Sequence, residues 1–467
     1  MTAGSPPRRA FVLGGGVAGM AAAFGLADRG FRVELIESRA HCGGRAFATP
    51  DRVLGRRVDN GFHVMLGCYR ATRALLRRLG TEDGFQQDPR LVMQYRFSPK
   101  RSARLSLSGL PVPLAMPWAL LRLGISWSGR LRALFGMSTV LFGARKTDMF
   151  SDWLQRRWQR GEPDDVMWRP LCRAVMNCEP EEASARAFLR TLREAFFGSA
   201  KSAAFWIPTR TWGEIFADPA PAALEAAHVR LRLGSRVAGL QAADCGARIG
   251  ALELASGERI SVGENDLVAS ALPWFGLRRL LVDDIRGDGD HASPSRATLP
   301  PSSPPGWAEL ESAPIVTAYF ECKDTGQIPP DEGPVVALVG AAPFHFLLRT
   351  PGDPIGRFAL LSGGDRSLDG HSVAEIARVA RQQLANAYGV ALDDAVVRIR
   401  KEQHATFVAS PASENQRPRP GLLDPRWGNL YVCGDWTDTG FPATLEGAAR
   451  SAERMLDAMG VDAAPTE

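Results

Sequence analysis

The sequence predicts an α/β fold: a Rossmann-type cofactor domain delivered in separate pieces, with an α+β substrate domain inserted between them. Three observations carry this. A strand-like run, Arg9 to Leu13, leads directly into Gly14-Gly15-Gly16-Val17-Ala18-Gly19. A helix of small and apolar residues, Val17 to Asp28, and a second strand, Phe31 to Ile36, then complete a β-α-β unit. Further strand-like runs bounded by Gly, Asn, Asp or Pro come only far downstream, at His228 to Leu240, Asp266 to Leu272 and Asn429 to Cys433.

The glycine loop fits G-x-G-x-x-G in the context that gives it meaning, after a strand and opening a helix. Gly14 makes the tight turn, Gly16 lets backbone approach a pyrophosphate, and Gly19 permits close helix-sheet contact. Glu37, ending the second strand, is placed to accept hydrogen bonds from adenosine ribose hydroxyls. A glycine-rich turn alone is weak; with strand, helix and acid in register, dinucleotide binding is the reading. Residues 8–84, 226–285 and 396–460 then form the cofactor domain, and 85–225 with 286–395 the substrate domain. Gly287 to Pro305 reads as a loop crossing between lobes, and a helix, Ala443 to Met459, as the last element.

With 467 residues, 45% of them hydrophobic, the chain can bury a large cofactor in a two-domain body. Its 56 Lys+Arg against 51 Asp+Glu give a net +5, spread thinly, which argues against nucleic-acid binding and leaves a mild attraction to anionic lipid. Seven scattered cysteines without a C-x-x-C pair suggest neither a disulfide framework nor a metal site, and suit a reducing cytoplasm. The apolar run after Arg9 ends at once in glycines, too short for a signal segment, so export is not expected.

Glu37-Ser38-Arg39-Ala40-His41-Cys42-Gly43-Gly44-Arg45 resembles the extended motif of the amine oxidase and carotene desaturase flavoproteins. The resemblance implies FAD, with Ser38, Gly43 and Gly44 at the cofactor and Arg45 facing phosphate. Gly434-Asp435 followed by Ala443-Thr444-Leu445-Glu446-Gly447-Ala448 resembles the closure of the FAD site in that superfamily. It implies Asp435 at the ribityl or pyrophosphate region and a helix N-terminus aimed at the flavin. Arg236-Val237 resembles the segment whose valine backbone meets adenine. Amine oxidases place a tyrosine just before Glu-Gly-Ala, where this chain has Leu445, so one wall of their amine cage is missing.

The stretch Val58 to Tyr69, which includes Gly61, Phe62 and His63 as cofactor contacts, resembles plant-type carotene desaturases and bacterial hydroxysqualene dehydroxylases. Three stretches favour the dehydroxylases: Cys178 to Ala185, Lys401 to Phe407 and Gly434 to Thr444. At Phe62 this chain is apolar like a desaturase, where the dehydroxylases carry Gln. The resemblance implies an isoprenoid enzyme in which reduced FAD delivers hydride to an allylic carbon as a hydroxyl leaves as water. It also implies a separate reductant or reductase for the FAD. The alternatives are a desaturase running hydride the other way, an amine oxidase, and a non-catalytic prenyl-lipid carrier. Dehydroxylation needs a proton donor, for which His63 and Asp438 are the candidates, although His63 reads somewhat better as a loop-fixing histidine.

Residues 110–142 are strongly apolar but broken by prolines and by Arg122 and Arg130, so they do not span a bilayer. They suit either a Trp-bearing helix at a membrane interface or a buried helix of the substrate domain. The apolar runs Ala203 to Pro208 and Pro343 to Leu348 are candidate pocket walls. The expected location is the cytoplasm, peripheral on the inner face of the membrane.

Overall fold

The computed structural model describes all residues except 1–7, 88–90, 108–111, 198–199, 282–304, 324–327, 330–331 and 461–467. The crossing loop read from Gly287 onward lies, apart from Pro305, outside the described residues, as do Leu110 and Pro111.

A six-stranded sheet runs in the order 230–232, 32–36, 9–13, 267–270, 430–432, 421–422. Its strands are parallel except the last, which runs antiparallel to Leu430–Val432. Ala10 to Leu13 are no more than 1% exposed, because helices cover both faces of such a sheet and its central strands read as unbroken apolar runs. The helix Val17–Ala27 packs on the last helix, Leu445–Ala458, so the two ends of the chain share one layer. His228 to Leu240 is not one strand: Gly234, at φ +64, turns the chain between Arg230–Arg232 and Val237–Ala242, which enters a separate antiparallel sheet.

A seven-stranded sheet runs in the order 396–407, 312–321, 357–363, 346–348, 335–338, 92–98, 101–106. The sequence groups residues 396–407 with the cofactor segments; they instead pair with Ser312–Glu321 over most of their length. Alternation divides this sheet's faces. Val316, Val336, Leu347 and Leu360 pack with the helix Val373–Tyr388 in a core of their own. Their neighbours Ile315, Val335, Phe346, Leu348 and Leu361 face the cavity described next.

The apolar stretch after residue 111 forms two helices, Val112–Leu121 and Trp127–Thr139, followed by a short 3-10 turn, Val140–Phe142. No helix among the described residues is long and apolar enough to cross a membrane.

Candidate active site

A cavity of about 1150 Å³ lies between the C-terminal ends of the six-stranded sheet and the inner face of the seven-stranded one. It exceeds the usual range of roughly 300–1,000 Å³ for small-molecule pockets, enough for a nucleotide and a second ligand together. One end is backbone-rich and polar; the other is walled by Leu91, Met93, Leu192, Phe196, Phe205, Phe346 and Leu348. Of the two apolar runs picked from sequence, Phe205, Phe346 and Leu348 reach the cavity, while Trp206, Phe344 and Leu347 are core.

At the polar end the glycine loop is held by its neighbours. Gly14 N–H donates to the Ile36 carbonyl at 2.8 Å, and Gly43 N–H to the Gly15 carbonyl at 2.9 Å, so the Gly43-Gly44 turn is laid against the loop. A Cβ at Gly19 would collide with the Gly14 carbonyl oxygen, and one at Gly43, whose φ is +102, with that of Ala46. Glu37 is buried, its carboxylate accepting from the N–H of Gly15 at 2.6 Å and of Arg39 at 2.7 Å and from the Ser38 hydroxyl at 3.0 Å. It therefore braces the loop as well as facing the cavity. The helix starting at Val17 has Gly16 as its N-cap, no side-chain cap and no acid in its first turn, which leaves its positive end for an anion.

Arg45 and Asp435 form an ion pair at 2.5 Å, and Arg45 also donates to the Ala405 carbonyl at 2.5 Å. The guanidinium is thus fixed by protein at the cavity wall, a pairing the sequence motif did not reveal. The segment Asp435 to Phe441 is shaped by Arg417, a buried side chain that donates to the carbonyls of Trp436 at 3.2 Å and Phe441 at 2.8 Å. Its burial holds its pKa below the ordinary value, opposed by Glu414, Asp438 and Asp435. Trp436 completes the fold of this segment by donating to the Leu272 carbonyl at 2.9 Å.

Of the residues picked from sequence, Gly14, Gly16, Val17, Ala18, Glu37, Ser38, Gly43, Gly44 and Arg45 line the cavity, as do Phe62, His63, Val237, Gly434, Asp435, Ala443, Thr444 and Leu445. Gly19 and Gly61 stand behind this wall. Asp438 is not part of the wall, and its carboxylate accepts from Gly440 N–H at 3.2 Å. Thr444 spends its hydroxyl on its own helix, accepting from Gly447 N–H at 3.0 Å.

His63 is half-buried in the cavity wall, where desolvation, reinforced by the positive charge of Arg45, pushes its pKa down to about 4. The neutral imidazole is thereby favoured near pH 7. Besides Glu37 and Asp435, the cavity is lined by a third carboxylate, Glu402, on the strand Val396–Phe407. The Asn60 amide donates to it at 2.8 Å and the backbone N–H of His404 at 3.2 Å. The Lys401 to Phe407 motif by itself assigns this residue no role. Glu446, fully buried, serves the fold instead, accepting from the N–H groups of Ala71 and Thr72 at 3.3 and 3.0 Å and pairing with Arg450 at 3.0 Å. It caps, from a distance, the helix Arg70–Leu79.

The family model described as flavin containing amine oxidoreductase matches residues 17–457. A hydroxysqualene dehydroxylase of Rhodopseudomonas palustris is 29% identical over 448 residues, 96% of this chain and 97% of that protein. The 15-cis-phytoene desaturase of Narcissus pseudonarcissus is 27% identical over 191 residues, 39% of this chain and 33% of that one. Among solved structures, an oxidoreductase from Methanosarcina mazei superposes with a TM-score of 0.70 at 14% identity, covering 96% of this chain and all of that one, a likeness of fold. The glycine loop, its brace at Glu37 and the paired Arg45 and Asp435 thus sit in or beside a matched span of 17–457, and the chain belongs to the flavin containing amine oxidoreductase family.

Proposed function

We propose that the cavity holds FAD at its polar end and that the protein removes the hydroxyl of hydroxysqualene, giving squalene. The observation that carries this reading is a single cavity that joins the glycine loop, with Glu37, Arg45 and Asp435, to a long apolar wall, with Glu402 also in its lining. Full-length similarity to a hydroxysqualene dehydroxylase supports it over desaturation, for which similarity spans only 39% of the chain.

The chemistry divides as follows. A reduced flavin, were it held here, would supply hydride for the allylic carbon. Gly14, Gly16 and the first turn of the helix Val17–Ala27 bind the pyrophosphate, Glu37 the adenosine ribose, and Val237 the adenine side. Glu402 delivers a proton to the departing hydroxyl, so that the C–O bond breaks with water as the product. Phe62, Phe346 and Leu348 keep water from the developing allylic cation. His63, its ring edge-on to that of Trp212 at 5.6 Å, holds the cavity wall. A separate reductant would be needed to restore the flavin, and a substrate this apolar would be drawn from a membrane surface.

The test is anaerobic incubation of the photoreduced flavin-loaded protein with hydroxysqualene, followed by chromatography of the lipid products. Squalene in proportion to flavin reoxidation is expected; reoxidation without squalene, or reduction of the oxidised protein by a carotene, would replace this reading with the desaturase one.

A further inference from the structure

We infer that the face built by Val112–Phe142 together with Trp158 docks on an anionic lipid bilayer, seating its aromatic side chains among the headgroups. The helix Val112–Leu121 carries no charged residue on any side. Val112, Ala115, Met116, Ala119 and Leu120 are buried against the protein, yet Leu114 is 60% and Trp118 65% exposed. A helix apolar all round has no side suited to water, so the outward one needs an apolar partner. The next helix, packed against it, repeats the arrangement: Trp127, Leu131 and Phe135 form an exposed stripe at four-residue spacing.

Phe142 is 80% exposed, and the ring of Trp158 lies 5.8 Å from that of Phe135 while itself remaining exposed. Eight of the thirteen large apolar side chains exposed among the described residues belong to this face, which is therefore a patch and not the usual scatter.

Charge selects the partner. Residues 101–160 carry ten Lys or Arg against two Asp, a net +8 in a chain whose whole balance is +5. The thin spread of charge expected from composition is corrected here: the excess is concentrated, and the remainder of the chain is acidic on balance. Arg122, Arg145 and Lys146 are exposed beside the apolar stripe, while Arg156 is paired with Asp148 at 2.8 Å and Arg160 with Glu181 at 3.1 Å. Exposed tryptophans rimmed by arginines are the composition of a bilayer interface, and an anionic surface complements the rim. Without a membrane-spanning helix among the described residues, the attachment is peripheral.

The face also adjoins the cavity. The turn Val140–Phe142 packs on the helix Ala185–Phe196, whose Leu192, Ala195 and Phe196 are cavity wall, and Arg193 reaches the Leu141 carbonyl at 3.5 Å. Docking follows from the exposed face itself and does not rest on hydroxysqualene being the substrate.

The experiment is co-sedimentation of the full-length, flavin-loaded protein with vesicles of phosphatidylcholine alone or mixed with phosphatidylglycerol, in the absence of substrate. Binding to the anionic vesicles, weakened by salt, is expected, with tryptophan emission quenched by brominated acyl chains. The triple variant Trp118→Ser, Trp127→Ser, Phe142→Ser is expected to lose at least about tenfold in partitioning, a change of roughly 1.4 kcal/mol, while its flavin content stays that of the wild type. Arg145→Glu with Lys146→Glu is expected to lower binding to anionic vesicles only. Failure of the wild type to sediment with either vesicle, or equal binding by the triple variant, overturns the proposal. So does a dimer that the triple variant dissolves while vesicle binding is absent, since the face would then be covered by a second copy.

Discussion

Arg45 and Asp435 are 390 residues apart in the chain and meet at 2.5 Å in the cavity wall, Asp435 almost fully buried and Arg45 about one-third exposed. The pair ties the first β-α-β unit to the segment that follows the parallel strand Leu430–Val432. Arg45→Met is expected to leave a buried carboxylate without its partner, which costs several kcal/mol, and to lower flavin retention by at least about tenfold. Equilibrium dialysis against FAD checks this, with Asp435→Asn expected to be milder because its neutral amide removes the stranded charge. Equal flavin affinity in the Arg45 variant would refute a cofactor role for the pair.

Glu446 is expected to matter for folding more than for chemistry. Glu446→Ala uncaps the helix Arg70–Leu79 and leaves Arg450 short of one carboxylate, with Glu194 still bound at 3.0 Å. A loss of about 3 to 5 kcal/mol in denaturant unfolding is expected. A loss below about 1 kcal/mol would show that water replaces the carboxylate there.

Glu402 and His63 are separated by their response to substitution. Glu402→Gln is expected to lower kcat by about 10²- to 10⁴-fold, with flavin content unchanged. His63→Gln is expected to leave the shape of the pH profile between about pH 6 and pH 8 unaltered, because its imidazole, at about 4, is already neutral throughout. A limb of the profile that disappears with His63 would return the acid role to it.

Asp59 predicts a pH dependence of stability. Burial, opposed by the Trp212 N–H and reinforced by Glu214, raises its carboxyl to about 7. A pKa raised on folding favours the protonated form, so its contribution is complete below the unfolded value and is lost as the pH rises through about 7. Asp59→Asn is expected to stabilise the protein more at pH 8 than at pH 5, by on the order of 2 kcal/mol. Parallel unfolding curves of the two proteins at both pH values check the sign.

The sequence by itself determined the cofactor end of this protein. Gly14, Gly19 and Gly43 answer to local requirements, a turn, a close contact and a positive φ, that only glycine meets, and Glu37 stands at a fixed distance along the same unit. Such chemistry is written within a few dozen residues and is legible there. What the tertiary structure decided is which side chains share an environment. Asp438 lies in the most specific motif yet is not part of the cavity wall, while Glu402, with no role in its own motif, reaches the cavity because its strand crosses beside Asn60. His63 has the intrinsic pKa of an acid, and burial beside Arg45 makes it neutral. The apolar stretch after residue 111 allows a core helix or an interfacial one with equal justice, since both have the same composition. Only packing shows one side buried and the other, with Trp118 and Trp127, facing out. Burial and pairing depend on contacts between residues hundreds of positions apart, and no local pattern encodes them.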